Sequence, residues 1–406
     1  MHGHTAQDME LVGYTDLDRQ PGFKLALQVV DDRWLLYVTK FWETGIHVVD
    51  VTDPTSPRVV GEIPGPDDPN VATWQVQVAD GLLVQSFEVR PAKWGGDPAR
   101  CRHEGIRLWD VSDPDRPREL STFGWGASGT HRNHWSGGNL VHCAASVPGY
   151  DGNIYVIVDI SDRTAPREVG RWFFPEQYAA GGGRAPTRYS LHGPAFPIDD
   201  RAYLPYGAAG VVVLDISDVT CPTLVSHLDT GLAFASPIAQ HTANPLPGRD
   251  LLVINTEAIR ERSEEPYNFA GIVDLSDEAE PRLISMFPTP IPHPGADYPN
   301  FQRRGGRFGP HNQHHRQNGD PHLDQSEDVV WLTWFNGGLR VYDIRDPYVP
   351  REVGSFLPDD PTERRGLLPE SALVTQSEDV LVDARGNAYL TDKNHGLHVV
   401  RFTGQL

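Results

Sequence analysis

The sequence of 406 residues predicts an all-β fold, a seven-bladed β-propeller, from three observations. A short phrase recurs along the chain: an apolar run that ends in Asp, a Ser/Thr-Asp turn, then Pro and usually Arg. The interval between copies has room for about four strands separated by turn residues, which is the period of a propeller blade. The last copy is followed by no further strand, whereas the N-terminus carries one that no other unit needs.

The recurring phrase is clearest in the first unit, where an apolar run leads to Asp50 and is followed by Asp53, Pro54 and Arg58. Further copies span residues 105–118, 157–167, 210–222, 271–282 and 338–351, and a shortened copy spans 396–402. An Asp at a strand end can accept hydrogen bonds from turn amides, Pro presets a turn dihedral, and a following Arg can pair locally. We therefore interpret these repeated charges as structural.

The first unit also predicts the order of strands within a blade. Residues 25–30, 34–40, 45–51 and 58–63 alternate with turn residues and are expected to run from the central channel outward. The predicted blades span about 23–63, 73–123, 131–173, 190–229, 239–287, 311–356 and 376–402. Residues 9–15 resemble the outer strands and are predicted to complete the last blade. The chain 1–406 is thus expected to form a single closed domain.

The phrase resembles the LVIVD repeat family of propellers, which is named for such a strand. The closest copy is Ile157-Val-Asp-Ile160, preceded by Tyr155-Val156. The resemblance covers nearly the whole chain. It implies the propeller and little about chemistry, because a fold alone does not imply a function.

Composition narrows the class of protein. The formal charge is −20, from 35 basic and 55 acidic residues, which argues against nucleic acid or an anionic membrane surface as a partner. No apolar stretch reaches the ~20 residues that span a bilayer, and the N-terminus lacks a basic region followed by an apolar one. We expect a cytoplasmic protein, either monomer or homodimer, with three ordinary thiols.

Histidine at the start of the innermost strand distinguishes four consecutive blades. His131, His192 and His241 precede the first apolar residue of the next strand by nine, ten and ten residues, so they are expected at nearly one depth in the channel. The third and sixth blades each carry a pair, and the sequence leaves open which member faces the others. The candidate metal ligands are His131 or His134, His192, His241, and His311 or His314.

Clustered imidazoles suit Fe, Cu, Zn or Ni. In arrangement only, the plan is similar to the carotenoid-cleaving oxygenases, which hold ferrous iron with four histidines, and loosely to methanethiol oxidases and selenium-binding proteins. The resemblance implies a transition-metal ion, with Fe(II) favoured and Zn or Cu as alternatives. Single histidines can instead fill a propeller channel by bonding one another and water.

Two further residues are candidates for proton transfer. Glu257 ends a strand beside His241 and is predicted to act as a general base or as a carboxylate that supports a metal ligand. Tyr206, beside His192, is predicted to be a proton donor. Long connections at 173–191, 288–310 and 357–373 are expected to cover a pocket for a small or medium organic substrate.

These patterns favour a metal-dependent enzyme, with non-haem oxidoreductase or oxygenase chemistry ahead of the alternatives. A redox-silent ion would act as a Lewis acid in a lyase, isomerase or hydrolase. A non-catalytic scaffold for protein interactions is the third hypothesis, and it predicts no stoichiometric metal.

Overall fold

The computed structural model describes residues 3–406 apart from 93–94, 185–188, 231–237, 262–263, 266–267, 318 and 367–371. Strands β1 (His4–Gln7) and β2 (Met9–Thr15) come first in the chain. Parts of the predicted long connections at 173–191 and 357–373 lie outside the described residues. Within the described residues, no helix has the length and apolar character that crossing a membrane requires.

The remaining strands form successive antiparallel units. The first three units contain β3 (Gly22–Val30), β4 (Arg33–Lys40), β5 (Ile46–Asp50) and β6 (Arg58–Ile63); β7 (Val71–Ala72), β8 (Val76–Ala79), β9 (Leu82–Val89), β10 (Gly105–Asp110) and β11 (Arg118–Phe123); and β12 (Gly129–His134), β13 (Leu140–Ser146), β14 (Asn153–Asp159) and β15 (Arg167–Trp172).

The next two units contain β16 (Phe196–Ile198), β17 (Arg201–Pro205), β18 (Val211–Asp215) and β19 (Thr223–Leu228); and β20 (Thr242–Leu246), β21 (Leu251–Asn255), β22 (Ala270–Asp274) and β23 (Arg282–Met286). The last two contain β24 (Val329–Thr333), β25 (Leu339–Asp343) and β26 (Arg351–Pro358); and β27 (Ser377–Val382), β28 (Asn387–Asp392) and β29 (Gly396–Phe402). The described strands are thus all-β and consistent with seven blades.

Helical segments are short and lie in the connections. One α-helix is described, α1 (Phe301–Arg304), together with 3₁₀ turns at Leu17–Arg19, Pro98–Arg100, Pro175–Gln177, Ala179–Gly181 and Pro247–Arg249.

The N-terminal strand closes the ring, as predicted. Strand β2 pairs antiparallel with β29, with Met9 opposite Phe402 and Tyr14 opposite His398. The joint between the seventh and first units is also packed, because buried Leu36 and Val399 belong to one apolar cluster. The preceding strand β1 adds a further outer strand to the sixth unit by pairing with β26, which the sequence analysis did not predict.

The sixth unit departs from the predicted order at its inner edge. Residues 311–315 lie beside β24 without forming a strand, and a single bridge joins Gln313 to Leu332. Side chains bind the backbone of this segment on both sides: the Thr333 hydroxyl accepts from the Asn312 amide, and the Asn255 side chain of the fifth unit donates to the His311 carbonyl.

The recurring Asp and Arg are structural, as predicted. The Asp50 carboxylate accepts from the Thr52 amide at 3.0 Å, and its other oxygen lies 3.2 Å from the Arg58 guanidinium. The same ion pair recurs between Arg118 and Asp110, Arg167 and Asp159, and Arg351 and Asp343. Each pair ties the third strand of a unit to the fourth.

Candidate functional site

Six aromatic side chains, one from each of the first six units, contact one another in a closed ring around the channel. Centroids of neighbouring rings lie between 4.5 and 6.0 Å apart, within the range of favourable aromatic contacts. In order around the ring, the members are Phe23, Trp74, His131, His192, His241 and His311.

Three of the histidines reach one level because their backbones make the same bond. The amide of each donates to the carbonyl of the last residue of the second strand in its own unit. The three bonds run from His192 to Pro205 at 3.2 Å, from His241 to Asn255 at 2.8 Å, and from His311 to Thr333 at 2.9 Å. Equal register in equivalent blades therefore brings distant positions of the sequence together.

Irregular pairing directs three other side chains to the same level. The register shifts at Phe23 in β3, at His131 in β12 and at Glu378 in β27, so each residue lies at a break in its ladder. Such bulges re-aim a side chain without ending the strand. The seventh unit thereby contributes a carboxylate, Glu378, whose Oε2 lies 3.3 Å from His311 Nδ1.

Glu257 is the point on which the imidazoles converge. Its Oε2 lies 2.9 Å from His192 Nε2 and 3.8 Å from His241 Nε2, and its Oε1 lies 3.8 Å from His311 Nε2. One ligand atom from each of His192, His241 and Glu257 lies within 4.8 Å of the others. His192 Nε2 is buried and lies within hydrogen-bonding distance of the carboxylate.

The protonation states match those that a metal ion requires, namely neutral imidazole and ionised carboxylate. Burial lowers the pKa of His192 to about 4 and holds the pKa values of His241 and His311 well below their usual range. Burial alone would raise the pKa of Glu257, but the hydrogen bond with His192 and the electrostatic interactions with His311 and His241 hold it well below its usual range. Burial raises the pKa of Glu378 to about 7.

Neighbouring groups fix the orientation of the rings. His241 Nδ1 lies 2.8 Å from the Thr242 hydroxyl, and His311 Nδ1 lies 2.8 Å from the Glu378 carbonyl. A ring that donates from Nδ1 keeps the lone pair on Nε2, which is the usual arrangement around a bound metal. At His241 that lone pair accepts from Arg132 Nη2 at 3.2 Å, so an ion could bind there only if Arg132 gave up this bond.

A second arginine holds the two carboxylates. Arg307 Nη1 lies 3.0 Å from Glu257 Oε1, and Arg307 Nη2 lies 3.3 Å from Glu378 Oε1. Arg307 belongs to the predicted long connection 288–310, and its guanidinium stacks on Phe335. This connection therefore supplies a charged wall of the site.

The structure distinguishes the members of the two histidine pairs. His131 and His311 join the ring, although His131 Nδ1 pairs with Glu88 at 2.6 Å. His314 binds backbone groups with both ring nitrogens, because Nδ1 accepts from the Val382 amide and Nε2 lies 2.9 Å from the Asp324 carbonyl. His134 lines a separate cavity of about 360 Å³ with His315. Neither His134 nor His314 lies with the other candidate ligands.

Tyr206 also lies away from the site. Its hydroxyl donates to Gln177 within the core of the fourth unit, and it does not line the cavity described below. Burial raises the pKa of Tyr206 well above its usual range. The expectation that Tyr206 donates a proton to a substrate therefore has no support in its position.

A cavity of about 780 Å³ opens beside the ring, a size suited to a small or medium organic ligand. One wall carries His131, His192, Glu257 and His311. The other wall is aromatic and comes from the first two units, and the contacts there are close, since the Trp42 and Trp74 rings lie 4.3 Å apart. Four cations also line the cavity: Arg90, Arg132, Arg307 and Lys393.

Four charged residues of the site are not predicted from the sequence pattern: Glu88, Arg132, Arg307 and Glu378. Glu378 lies at a bulge and Arg132 lies next to one, and sequence periodicity does not reveal bulges. Of these residues, Arg132 is the one whose position in the sequence points to the site, because it directly follows His131 in a predicted inner strand. In the structure its side chain is buried and 2% exposed.

Comparisons with known proteins support the fold. Residues 36–63, 150–173 and 200–230 match the LVIVD repeat. The chain is similar to the β-propeller domain of Cps50 (Swd1) from Myceliophteria thermophila, with a TM-score of 0.53, 11% identity, and 98% of this chain and 99% of that chain covered. It is also similar to Saccharomyces cerevisiae Sqt1, with a TM-score of 0.52, 7% identity, and 97% and 98% covered.

A computationally designed protein, Ika8, has the same fold, with a TM-score of 0.51, 10% identity, and 96% of this chain and 99% of that chain covered. No curated protein matches the sequence. These findings do not support the expected resemblance to the carotenoid-cleaving oxygenases. The site itself departs from a four-histidine plan, since Glu257 joins His192 and His241 while His131 is held by Glu88.

Proposed function

We propose that the protein is a metal-dependent enzyme that acts on an organic molecule in the central cavity, with the ion bound by His192, His241 and Glu257. The observation that carries the proposal is the convergence of two imidazole nitrogens and a carboxylate oxygen within 4.8 Å of one another. Burial with neutral rings and an ionised carboxylate supports it, since these are the forms that bind a cation.

The donor set agrees with more than one ion. Two histidines and one carboxylate with open positions are typical of non-haem Fe(II) sites and of catalytic zinc sites. A bound ion would supply Lewis acidity or, if redox-active, oxygen chemistry. Neighbouring groups of the protein would orient the ligands of the ion. The Thr242 hydroxyl sets the ring of His241, and Arg307 holds Glu257 by the carboxylate oxygen that faces away from His192.

Elemental analysis of protein purified without chelators or metal-affinity resins tests the proposal. We expect about one equivalent of a transition metal in the natural protein and loss of the ion in His192→Ala and in Glu257→Gln. His134→Ala is the matched control, because this buried histidine lies on the same strand as His131 but lines the other cavity. Metal-free natural protein that also fails to take up added Fe(II) or Zn(II) would refute the proposal.

A non-catalytic interaction scaffold is the second candidate, and the comparisons agree with it at least as well, since they support the fold and assign no chemistry. Exposed apolar side chains favour it. Ile291 is 79% exposed in the long connection 288–310, and Tyr348 and Val349 are 65% and 58% exposed beside the outer strand β26. The scaffold predicts no stoichiometric ion and unchanged partner binding in His192→Ala.

A further inference from the structure

We propose that the cavity binds a small organic acid, with its carboxylate against Arg90 or Lys393 and its apolar body against the aromatic wall. This inference names the substrate class for the function proposed above and rests on it, although the binding that it describes requires no ion.

Three of the four cations that line the cavity, Arg90, Arg132 and Lys393, have no carboxylate partner among the described residues, and Arg132 is already hydrogen-bonded to His241 and to side-chain amide oxygens. Arg90 is 8% exposed and Lys393 is 4% exposed, and neither forms a salt bridge there. The Arg90 Nε is also buried without a hydrogen-bond partner. A buried charge is costly unless it is paired, so an anion that enters the cavity can stabilise one of these two cations.

Most other charges in the cavity are already matched. Glu257 and Glu378 pair with Arg307, and Glu88 pairs with His131. Glu261 also lines the cavity; it accepts from the Ala372 amide at 3.3 Å and is partly exposed. Arg132, which is 2% exposed, has His241 and the side-chain amide oxygens of Gln75 and Asn312 as its hydrogen-bond partners. Among the described residues of the lining, Arg90 and Lys393 are therefore the cations with neither a salt bridge nor a side-chain hydrogen bond, although the carboxylates of Glu378, Asp392 and Glu261 act on Lys393 from a greater distance.

Around the ring, the first unit with its part of the aromatic wall stands between the units that carry Arg90 and Lys393. Arg90 follows β9 of the second unit, Lys393 follows β28 of the seventh, and the first unit between them carries Phe41 and Trp42. The Lys393 ammonium lies 5.9 Å from the Phe41 centroid, and Phe41, Trp42 and Trp74 form edge-to-face pairs. A flat or alkyl body fits such a wall, and a strongly hydrated anion such as phosphate would leave it unused.

Titration with benzoate and phenylacetate, followed by calorimetry and by tryptophan fluorescence, tests the inference against the neutral benzamide and phenylacetamide. We expect each acid to bind at least tenfold more tightly than its amide, because hydrogen bonds to charged groups are stronger than neutral ones. Because the carboxylate contacts one of the two cations, either Arg90→Gln or Lys393→Met should weaken acid binding by about tenfold or more, and two variants that both bind the acids as tightly as the natural protein would overturn the inference. Arg118→Gln, which removes an exposed arginine on an outer strand, should change nothing.

The comparison of acid with amide needs only the natural protein, so it decides the question even if a variant misfolds. Equal affinity for acid and amide, or no binding of either acid, would overturn the inference. Each titration is run on chelator-treated protein and again after metal loading. Acid selectivity in metal-free protein supports the inference even if the metal proposal fails, whereas a stoichiometric ion without acid selectivity overturns this inference alone.

Discussion

Acid should destabilise the protein through its buried histidines, and His142 offers the cleanest test because it lies outside the proposed metal site. The ring is 5% exposed, and its Nδ1 lies 2.7 Å from the hydroxyl of buried Tyr155. Burial lowers the pKa of His142 to about 4, against about 6.5 in an unfolded chain. The unfolded state therefore binds the proton more tightly, and the stability conferred by the neutral ring is complete above pH 6.5 and lost as the pH falls towards 4.

Between pH 7.5 and pH 5.0, this single group removes about 2 kcal/mol of the free energy of unfolding. His142→Asn removes the titration while leaving a polar group that can bond to Tyr155. Urea unfolding followed by tryptophan fluorescence at both pH values should show that the natural protein loses about 2 kcal/mol more than the variant. Exposed His293, changed to Asn, serves as the control and should behave like the natural protein. Equal losses in the natural protein and His142→Asn would refute the reasoning.

Three further predictions follow from the fold and the site. Deletion of residues 1–16 removes β1 and β2 and should lower the melting temperature severely, whereas deletion of 1–8 removes only β1 and should cost far less; an unchanged melting curve for the longer deletion would contradict closure by β2. Lys24→Met strands its buried partner Asp379, 2.6 Å away, and should cost about 3–5 kcal/mol in urea unfolding. Adding Asp379→Asn should recover part of that loss, and a double variant as unstable as the sum of the single variants would argue against a coupled pair. Tyr206→Phe should leave metal content and acid binding unchanged and cost about 1 kcal/mol of stability, because Gln177 loses a donor; loss of the ion in this variant would contradict its placement in the core.

The sequence was sufficient for the fold because the signals repeat. The same Asp-to-Arg bond recurs in successive units, and the ring closure is visible as one strand too many at one end of the chain and one too few at the other. Register counting also placed His131, His192 and His241 at nearly one depth, and the structure brings these side chains into consecutive contact. In a repeated fold, residues at equivalent positions of successive units lie at similar depth, so their proximity can be predicted from their spacing in the sequence.

The other residues of the site reach it where the structure departs from the repeat, and a periodic sequence pattern does not reveal such departures. Glu378 enters the channel through a bulge, and Arg307 enters from an irregular connection. The choice between His311 and His314 depends on which ring nitrogens the backbone already occupies, and that is settled only by tertiary contacts. The apolar contacts that separate Tyr206 from the cavity are likewise set by packing between units.

The seventh unit joins the two ends of the chain and also supplies Glu378 and Lys393 to the cavity. A ligand held by these residues would therefore be coupled thermodynamically to the seam between β2 and β29. Occupancy of the cavity should then slow proteolysis of the N-terminal strand, and loosening of that strand should weaken ligand affinity at a distance. Detachment of β2 from β29 and release of the ligand would then be linked equilibria.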